Sequence, residues 1–334
     1  MGTIAVCSIL SILAALLIPT APAKADRQAE DLVLFIAPAE QAGGDRQLRL
    51  LHEARVDTVS EKQYLTQVVL SEMPADFEPE ALRAQAVAAR TFLRKRQQTH
   101  RHDEADVCSD SACCQAWTEE EALREKFGEN FDTVWSRAEQ AVESTRDEVL
   151  YYGGELIDAT YFSCSGGSTE SALSVWGSEV PYLRSVPSPD EQDAARYESS
   201  ASFTSEEFRA ILEKSGKTLD FSEPPPAWIE QLTRTDGGGV DTLLICGAGF
   251  SGTELRSLFG LNSTLFTLQY EQERFCFSVR GYGHRVGMSQ YGAQSMAKLG
   301  FSYRTILQYY YPGTKIKTAP EETGAAECTQ IRTD

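Results

Sequence analysis

Residues Ser71 to Thr91 read SEMPADFEPEALRAQAVAART, and the order of a glutamate, a Met-Pro break and a long alanine-rich run decides how the helical part of the chain is built. Upstream, Tyr64, Leu65, Val68 and Val69 recur at helical spacing, with Thr58 or Ser60 placed to cap the helix they predict. Glu72 continues the same face. Met73-Pro74 then ends the helix, because proline restricts the residue before it and supplies no backbone donor. A second helix starts near Pro79, a favoured first-turn residue, with Glu78 and Glu80 at its positive end. Leu82, Ala86, Ala89 and Leu93 mark its buried stripe, and Arg94, Lys95 and Arg96 complement its C-terminal end. A carboxylate that closes an apolar helix face against such a turn loses hydration, its pKa rises, and it can then act as a general acid. The plainer alternative is a glutamate that points to solvent from the last helical turn. Asp76, Glu78 and Glu80 lie within reach of the same place, but Glu78 and Glu80 already serve as helix-start residues.

Around this stretch the 334-residue chain has 42% apolar residues, enough for a packed core, and a formal charge of −18. That charge argues against non-specific nucleic-acid binding and against anionic membrane surfaces. Ala5 to Leu17 form an apolar run followed by Pro19, Pro22 and Ala23-Lys24-Ala25. The pattern predicts a secretory signal over residues 1–25 with cleavage after Ala25, although only the amino terminus supplies positive charge ahead of the run. A buried or anchoring N-terminal helix is the alternative. The run is short for a bilayer span and no second candidate follows, so the expected product is exported, with no transmembrane anchor after cleavage. Cys7 would leave with the signal, and Cys108, Cys113, Cys114, Cys164, Cys246, Cys276 and Cys328 remain. An odd number in an exported protein means that disulfides alone cannot use them all.

Further along, DLVLFIAP is a strand-like piece, His100 to Gln115 a loop, and Glu119 to Ser144 a predicted helix. From Val149 the texture becomes β-like, in VLYYGG and LIDATYFS, and LFTLQY and FCFSV are assigned to the same part. Ser199 to Gly260 reads as an insertion, Ser289 to Leu299 as a last helix, and the acidic tail from Glu321 as loose. The fold class expected is α+β, with a helical part carrying Glu72 packed on β-rich segments and a groove between them.

Three constellations carry possible chemistry. In HRHDEADVCSDSACCQ, His102, Cys108 and Cys114 stand at equal intervals with Cys113 beside the last. Imidazole and thiolates suit zinc, and three ligands leave a position for water or a fourth side chain, whereas an oxidising compartment favours a disulfide from Cys108 to Cys113 or Cys114. Both readings stay open on spacing alone. In TYFSCSGGST the glycines allow backbone amides to face a polar ligand, and Cys164 has no local histidine to activate it as a nucleophile. GYGHRVGMSQYGAQSMA lacks the glycine spacing of a nucleotide loop; His284, Ser289, Gln290 and Tyr291 instead offer a polar, partly aromatic wall, and Ser289 can cap the following helix.

Taken in order, EMPADFEPEALRAQAVAART, ATYFSCSGGSTES with VWG and PYLRSV, and GHRVGMSQYGA with YYPGT resemble the stage II sporulation protein D family. The blocks cover most of Tyr64 to Thr314, within a module expected over residues 26–320. The resemblance implies an enzyme of the cell wall, periplasmic or secreted, that cleaves peptidoglycan glycan strands as a lytic transglycosylase and prefers strands stripped of stem peptides. It implies Glu72 as the catalytic acid, and a structural zinc on His102, Cys108 and Cys114, which places zinc above the disulfide. The glycan contacts expected are Arg90, Tyr161, Ser165, Gly166, Gly167, His284, Ser289 and Gln290. Some relatives are enhancers of a cell-wall amidase, so a glycan-binding partner of an amidase is the main rival; a cysteine peptidase or amidase using Cys164 is a weaker one. Arg285 stands where the family usually has glycine, with the expectation that it narrows the loop or contacts a sugar carboxylate, and Cys164 stands where a hydroxyl residue is usual. A Cys246–Cys276 disulfide is a further expectation.

Overall fold

The computed structural model describes residues 45–188 and 190–318. The predicted signal over residues 1–25 with Cys7, the DLVLFIAP piece, Cys328 and the acidic tail lie outside the described residues. In the first part, β1 (Gln47–His52) and β2 (Arg55–Ser60) form an antiparallel hairpin across Glu53-Ala54, both at positive φ, the turn geometry that matches strand twist. Ser60 ends β2 and caps α1 (Glu61–Glu72), its hydroxyl accepting from the Gln63 amide. The Met73 amide still donates to Val69 O, and the extended backbone ahead of Pro74 stops the helix one residue after Glu72. After that turn α2 (Pro79–Thr99) begins with proline in its first turn. Ala81, Ala84, Ala88 and Ala89 let neighbours approach closely, so α2 is the buried axis of this half. Glu61 of α1 ties the two helices by ion pairs to Arg90 and Arg94.

β3 (Val107–Cys108) adds to β1 in parallel. The helix expected over 119–144 is two helices, α3 (Glu120–Phe127) and α4 (Phe131–Ser144), because Gly128 at φ 52° breaks the ladder before a short 3-10 turn. β4 (Glu148–Tyr152) pairs with β5 (Glu155–Leu156); β6 (Tyr161–Phe162) and β7 (Gly167–Ser168) precede α5 (Ala172–Trp176), and β8 (Pro187–Ser188) returns to pair with β7.

A second unit follows: β9 (Glu198–Thr204), α6 (Ser205–Glu213) with a Thr204–Glu207 capping box, the meander β10 (Ile229–Arg234), β11 (Val240–Ile245) and β12 (Ala248–Ser251), α7 (Gly252–Phe259), and β13 (Leu265–Glu271) with β14 (Arg274–Arg280). β14 lies between β13 and β9 in one antiparallel sheet. LFTLQY and FCFSV therefore belong with the insertion and not with VLYYGG and LIDATYFS, and the unit extends past Gly260 to Arg280. Its own core holds Phe208, Trp228, Phe250, Phe266, Phe275 and Phe277. Phe275 and Phe277 alternate with Cys276 along β14, so Cys276 faces away from the core that contains Cys246. Both thiols are free, and the expected Cys246–Cys276 bond is corrected on that ground.

The chain returns to the first core through β15 (Met288–Ser289), parallel to β6, then α8 (Gln290–Lys298), α9 (Tyr303–Tyr310) and β16 (Lys315–Thr318), which pairs with β4. α9 was not expected from the sequence; Ser302 caps it and Ile306, Leu307 and Tyr310 bury its inner face. The architecture is α+β, several small sheets around a helical core. Among the described residues no helix is long and apolar enough to cross a membrane.

Candidate functional site

Glu72 stands half-buried where α1 ends, and two distant segments reach it. The Ala116 amide donates to Oε1 at 2.9 Å, and Gln290, the first residue of α8, donates from Nε2 to Oε2 at 3.3 Å. Burial pushes the Glu72 pKa up, against the lowering effect of those two donors and of the Tyr161 hydroxyl. Behind it, the Tyr161 hydroxyl donates to Gln115 Oε1 at 2.7 Å, and Gln115 Nε2 donates to the Tyr64 hydroxyl at 3.3 Å. This network fixes the segment that carries the Ala116 amide.

A cleft of about 780 Å³ opens over Glu72. Tyr161, Ser163, Tyr282, His284 and Gln290 line it from the first part of the fold, and Arg196 and Arg256 add two cations. Glu72 is the one carboxylate among the lining residues. His284 packs between Phe162 and Trp176, with ring centroids 5.7 and 5.4 Å away, and burial followed by the Arg256 charge lowers its pKa to about 4. Its Nδ1 accepts from the Val286 amide at 3.1 Å, so the neutral ring carries its proton on Nε2.

Of the predicted contacts, Tyr161, His284 and Gln290 line the cleft, and Arg90, Ser165, Gly166, Gly167 and Ser289 do not. Arg90 is buried in the helical core, donating to Thr145 O and Val142 O and paired with Glu61, because a guanidinium in the middle of α2 meets the end of α4 there. The SGG turn does present backbone amides to a carboxylate, but the carboxylate is internal: Ser165 and Gly166 amides and the Ser165 hydroxyl donate to Glu191 Oε2. Gly167 is exposed and outside the cleft lining. Ser289 is buried as the α8 cap, accepting from the Gly292 amide. Cys164 is fully buried and its thiol is pushed up to about 11, which suits packing and not nucleophilic attack.

Arg285 also differs from expectation. It is fully buried at φ 66°, donating from Nε to Ser165 O, from Nη2 to Ser168 O and Gly237 O, and pairing through Nη1 with Glu170 at 3.1 Å. Glu170 also accepts from the Thr235 hydroxyl and the Gly239 amide, so the pair ties the second unit to the cleft loop and lies outside the cleft lining.

Beside the cleft, His102, Cys108, Cys113 and Cys114 present ligand atoms all within 4.8 Å of one another. Three thiols and one imidazole nitrogen are a donor set that suits a four-coordinate zinc, which takes Zn–S near ~2.3 Å and Zn–N near ~2.0 Å. The Cys108 amide donates to Cys114 Sγ and Arg101 Nε to Cys113 Sγ, the outer contacts that orient thiolate ligands. All three cysteines are free thiols. Cys113 joins the three spaced residues only through the turn at Asp110, whose carbonyl accepts from the amides of both Cys113 and Cys114.

Sequence reading missed Gln115, Ala116, Arg196, Arg256 and Tyr282. The only local signal was the position of Gln115-Ala116 next to the cysteine pair; the arginines carry no motif.

A family model described as Stage II sporulation protein matches residues 52–152. Stage II sporulation protein D of Bacillus subtilis (strain 168) is 38% identical over 268 residues, covering 79% of this chain and 76% of its own. The protein of the same name from Bacillus amyloliquefaciens is 34% identical over 268 residues, with the same shares. The Amidase enhancer of Bacillus subtilis (strain 168) is 30% identical over 307 residues, 75% of this chain but 39% of its own length. On the motif order and this extent of identity, the chain belongs to the stage II sporulation protein D family.

Proposed function

We propose that the protein is an extracytoplasmic cell-wall enzyme that cleaves the bond between N-acetylmuramoyl and N-acetylglucosaminyl residues of peptidoglycan by lytic transglycosylation, preferring strands stripped of stem peptides. The observation that carries this reading is the single carboxylate in the cleft, Glu72, whose pKa burial raises. Most glycoside hydrolases use a second carboxylate to activate water or form a glycosyl ester. Transglycosylation does not. The Glu72 proton goes to the bridging oxygen as the bond from the anomeric carbon to that oxygen breaks. The ionised carboxylate then takes the proton of the muramoyl 6-hydroxyl as that oxygen bonds to the anomeric carbon, leaving a 1,6-anhydro end and a restored acid. Neutral His284 Nε2, the Tyr161 hydroxyl and Gln290 supply polar contacts around the reacting ring.

His102, Cys108, Cys113 and Cys114 would hold a structural zinc, whose chemistry is to neutralise the clustered thiolates and stiffen the loop. The loop's own contribution to the reaction is the Ala116 amide, which orients the Glu72 carboxyl.

Incubating peptide-free glycan strands with the wild-type protein is expected to release 1,6-anhydro products, visible by mass spectrometry, and Glu72→Gln is expected to release them about 10²- to 10⁴-fold more slowly. Reducing ends in place of anhydro ends would overturn transglycosylation. The similarity to a protein named Amidase enhancer favours a second reading, a glycan-binding partner of an amidase that does not cut; strand binding by the wild type with no cleavage would select it.

A further inference from the structure

The outward face of the β9–β14–β13 sheet floors a second cavity of about 820 Å³. Strand register sets the hydroxyls of Ser200, Ser278 and Thr267 in one row across the three strands, and Glu198, Arg280 and Leu265 in the next. The alternating residues Phe275, Phe277 and Val279 point into the core beneath. This cavity adjoins the cleft over Glu72. Glu198 and Arg280 line the one, Arg196 and Tyr282 line the other, and the two segments are joined between them by the Gly281 amide donating to Tyr197 O at 2.8 Å.

Charge sets both cavities apart from the rest of a chain whose formal charge is −18. Their linings contribute Arg196, Arg256, Arg234 and Arg280 against the carboxylates of Glu72 and Glu198 alone. Arg196 donates to the Tyr282 hydroxyl, Arg256 to Leu261 O, and Arg234 to Gly238 O and Phe266 O, all neutral acceptors. Among the described residues the Arg280 guanidinium makes no hydrogen bond and no ion pair, Glu198 being its cross-strand neighbour and the Tyr197 ring hydroxyl feeling its charge. Uncompensated cations in a concave wall of an otherwise acidic protein focus an attractive field there, and a guanidinium fork matches a carboxylate.

We infer that this second cavity binds carboxylates carried by the polymer that the cleft takes, with Arg280 as the contact and the Ser200, Ser278 and Thr267 row receiving sugar hydroxyls. The inference rests on the glycan reading above. Two sources supply the carboxylate: the lactyl group of a muramoyl residue without peptide, or the terminal carboxylates of a stem peptide. In the first case Arg280 favours peptide-free strands, because an amide-linked peptide consumes the lactyl carboxylate.

Isothermal titration in the Glu72→Gln background, which slows turnover, tests this with a peptide-free disaccharide, a peptide-free hexasaccharide, its methyl ester, and a hexasaccharide bearing stem peptides. The acid hexasaccharide is expected to bind about tenfold more tightly than the disaccharide, the size of one charged hydrogen-bonded contact. Arg280→Gln and esterification should each erase that gain, and together should do no more than either alone. Glu198→Gln, which removes the competing carboxylate, should tighten the acid hexasaccharide about twofold to threefold. A gain confined to the peptide-bearing fragment supports the site and assigns the carboxylate to the peptide. A gain that survives both Arg280→Gln and esterification overturns the inference while leaving the cleft reading intact, and failure of every fragment to bind overturns both.

Discussion

A carboxyl that ends an apolar helix face and has lost most of its water holds its proton to higher pH than a free glutamate, and Glu72 is in that position. The consequences for rate and stability share one direction. The acid form is depleted as pH rises through the raised pKa, so strand cleavage should fall on the alkaline side of a value above 4.5. The folded state binds this proton more tightly than the unfolded chain, so the associated stability is present below the unfolded pKa and is lost as pH rises through the folded one. Denaturation of wild type and Glu72→Gln across pH should therefore show the variant gaining on the wild type as pH increases, while its cleavage rate is lower by about 10²- to 10⁴-fold. Arg285 makes a second single-residue case. Arg285→Ala would leave Glu170 buried without its cation, one carboxylate oxygen already lacking a donor. Breaking such a pair from one side costs about 3–5 kcal/mol. Urea unfolding should show that loss for Arg285→Ala and partial recovery when Glu170→Gln is added.

At the scale of the element, α8 shows where tertiary packing outweighs propensity. Replacing a helical glycine by alanine ordinarily stabilises by about 0.5–1 kcal/mol. In α8, however, a Cβ at Gly292 would fall on the Tyr310 hydroxyl and Ser188 Oγ, which hydrogen-bond each other at 2.6 Å, with Glu191 close by. Gly292→Ala is expected to destabilise by about 1–3 kcal/mol, the usual cost of overpacking, and thermal unfolding checks the sign. The loop that carries His102, Cys108, Cys113 and Cys114 is the other decisive element. Elemental analysis of the purified protein should find about one zinc per chain, as a four-ligand cluster requires. Cys114→Ser should lose it with a lowered melting temperature, and the amides of Gln115 and Ala116 should then exchange hydrogen faster.

For the whole molecule, two cores share one cleft. Phe208 stacks on Phe275 at 3.9 Å and on Phe259 at 5.0 Å, in the centre of the second core. Phe208→Ala should cost about 3–5 kcal/mol. Hydrogen exchange should quicken in β9, β11 and β14 well before it does in α1 and α2, whose core is separate. The cleft is completed across this division: Glu72 comes from the first core, and Arg256 from α7 of the second.

The helical half was legible in the sequence because its rules are local. The Ser60 cap, the stop at Met73-Pro74, the start at Pro79 and the stripe along α2 each depend on residues within a turn or two of one another. The same locality made Glu72 and the His102, Cys108 and Cys114 spacing visible. Reading failed where partners are distant in the chain. β14 chose β9 and β13 as neighbours, which moved two strands into the second unit; Arg90 and Arg285, plausible ligand contacts by residue type, found Glu61 and Glu170. The sequence determined by itself where α1 and α2 start and stop and which acid ends the first of them. Only the tertiary structure decided which donors orient that acid, that Cys113 joins the cluster, and that Arg196 and Arg256 face it. Strand pairing and the compensation of buried charge are settled by contacts across many residues, and these leave no periodic trace in the chain.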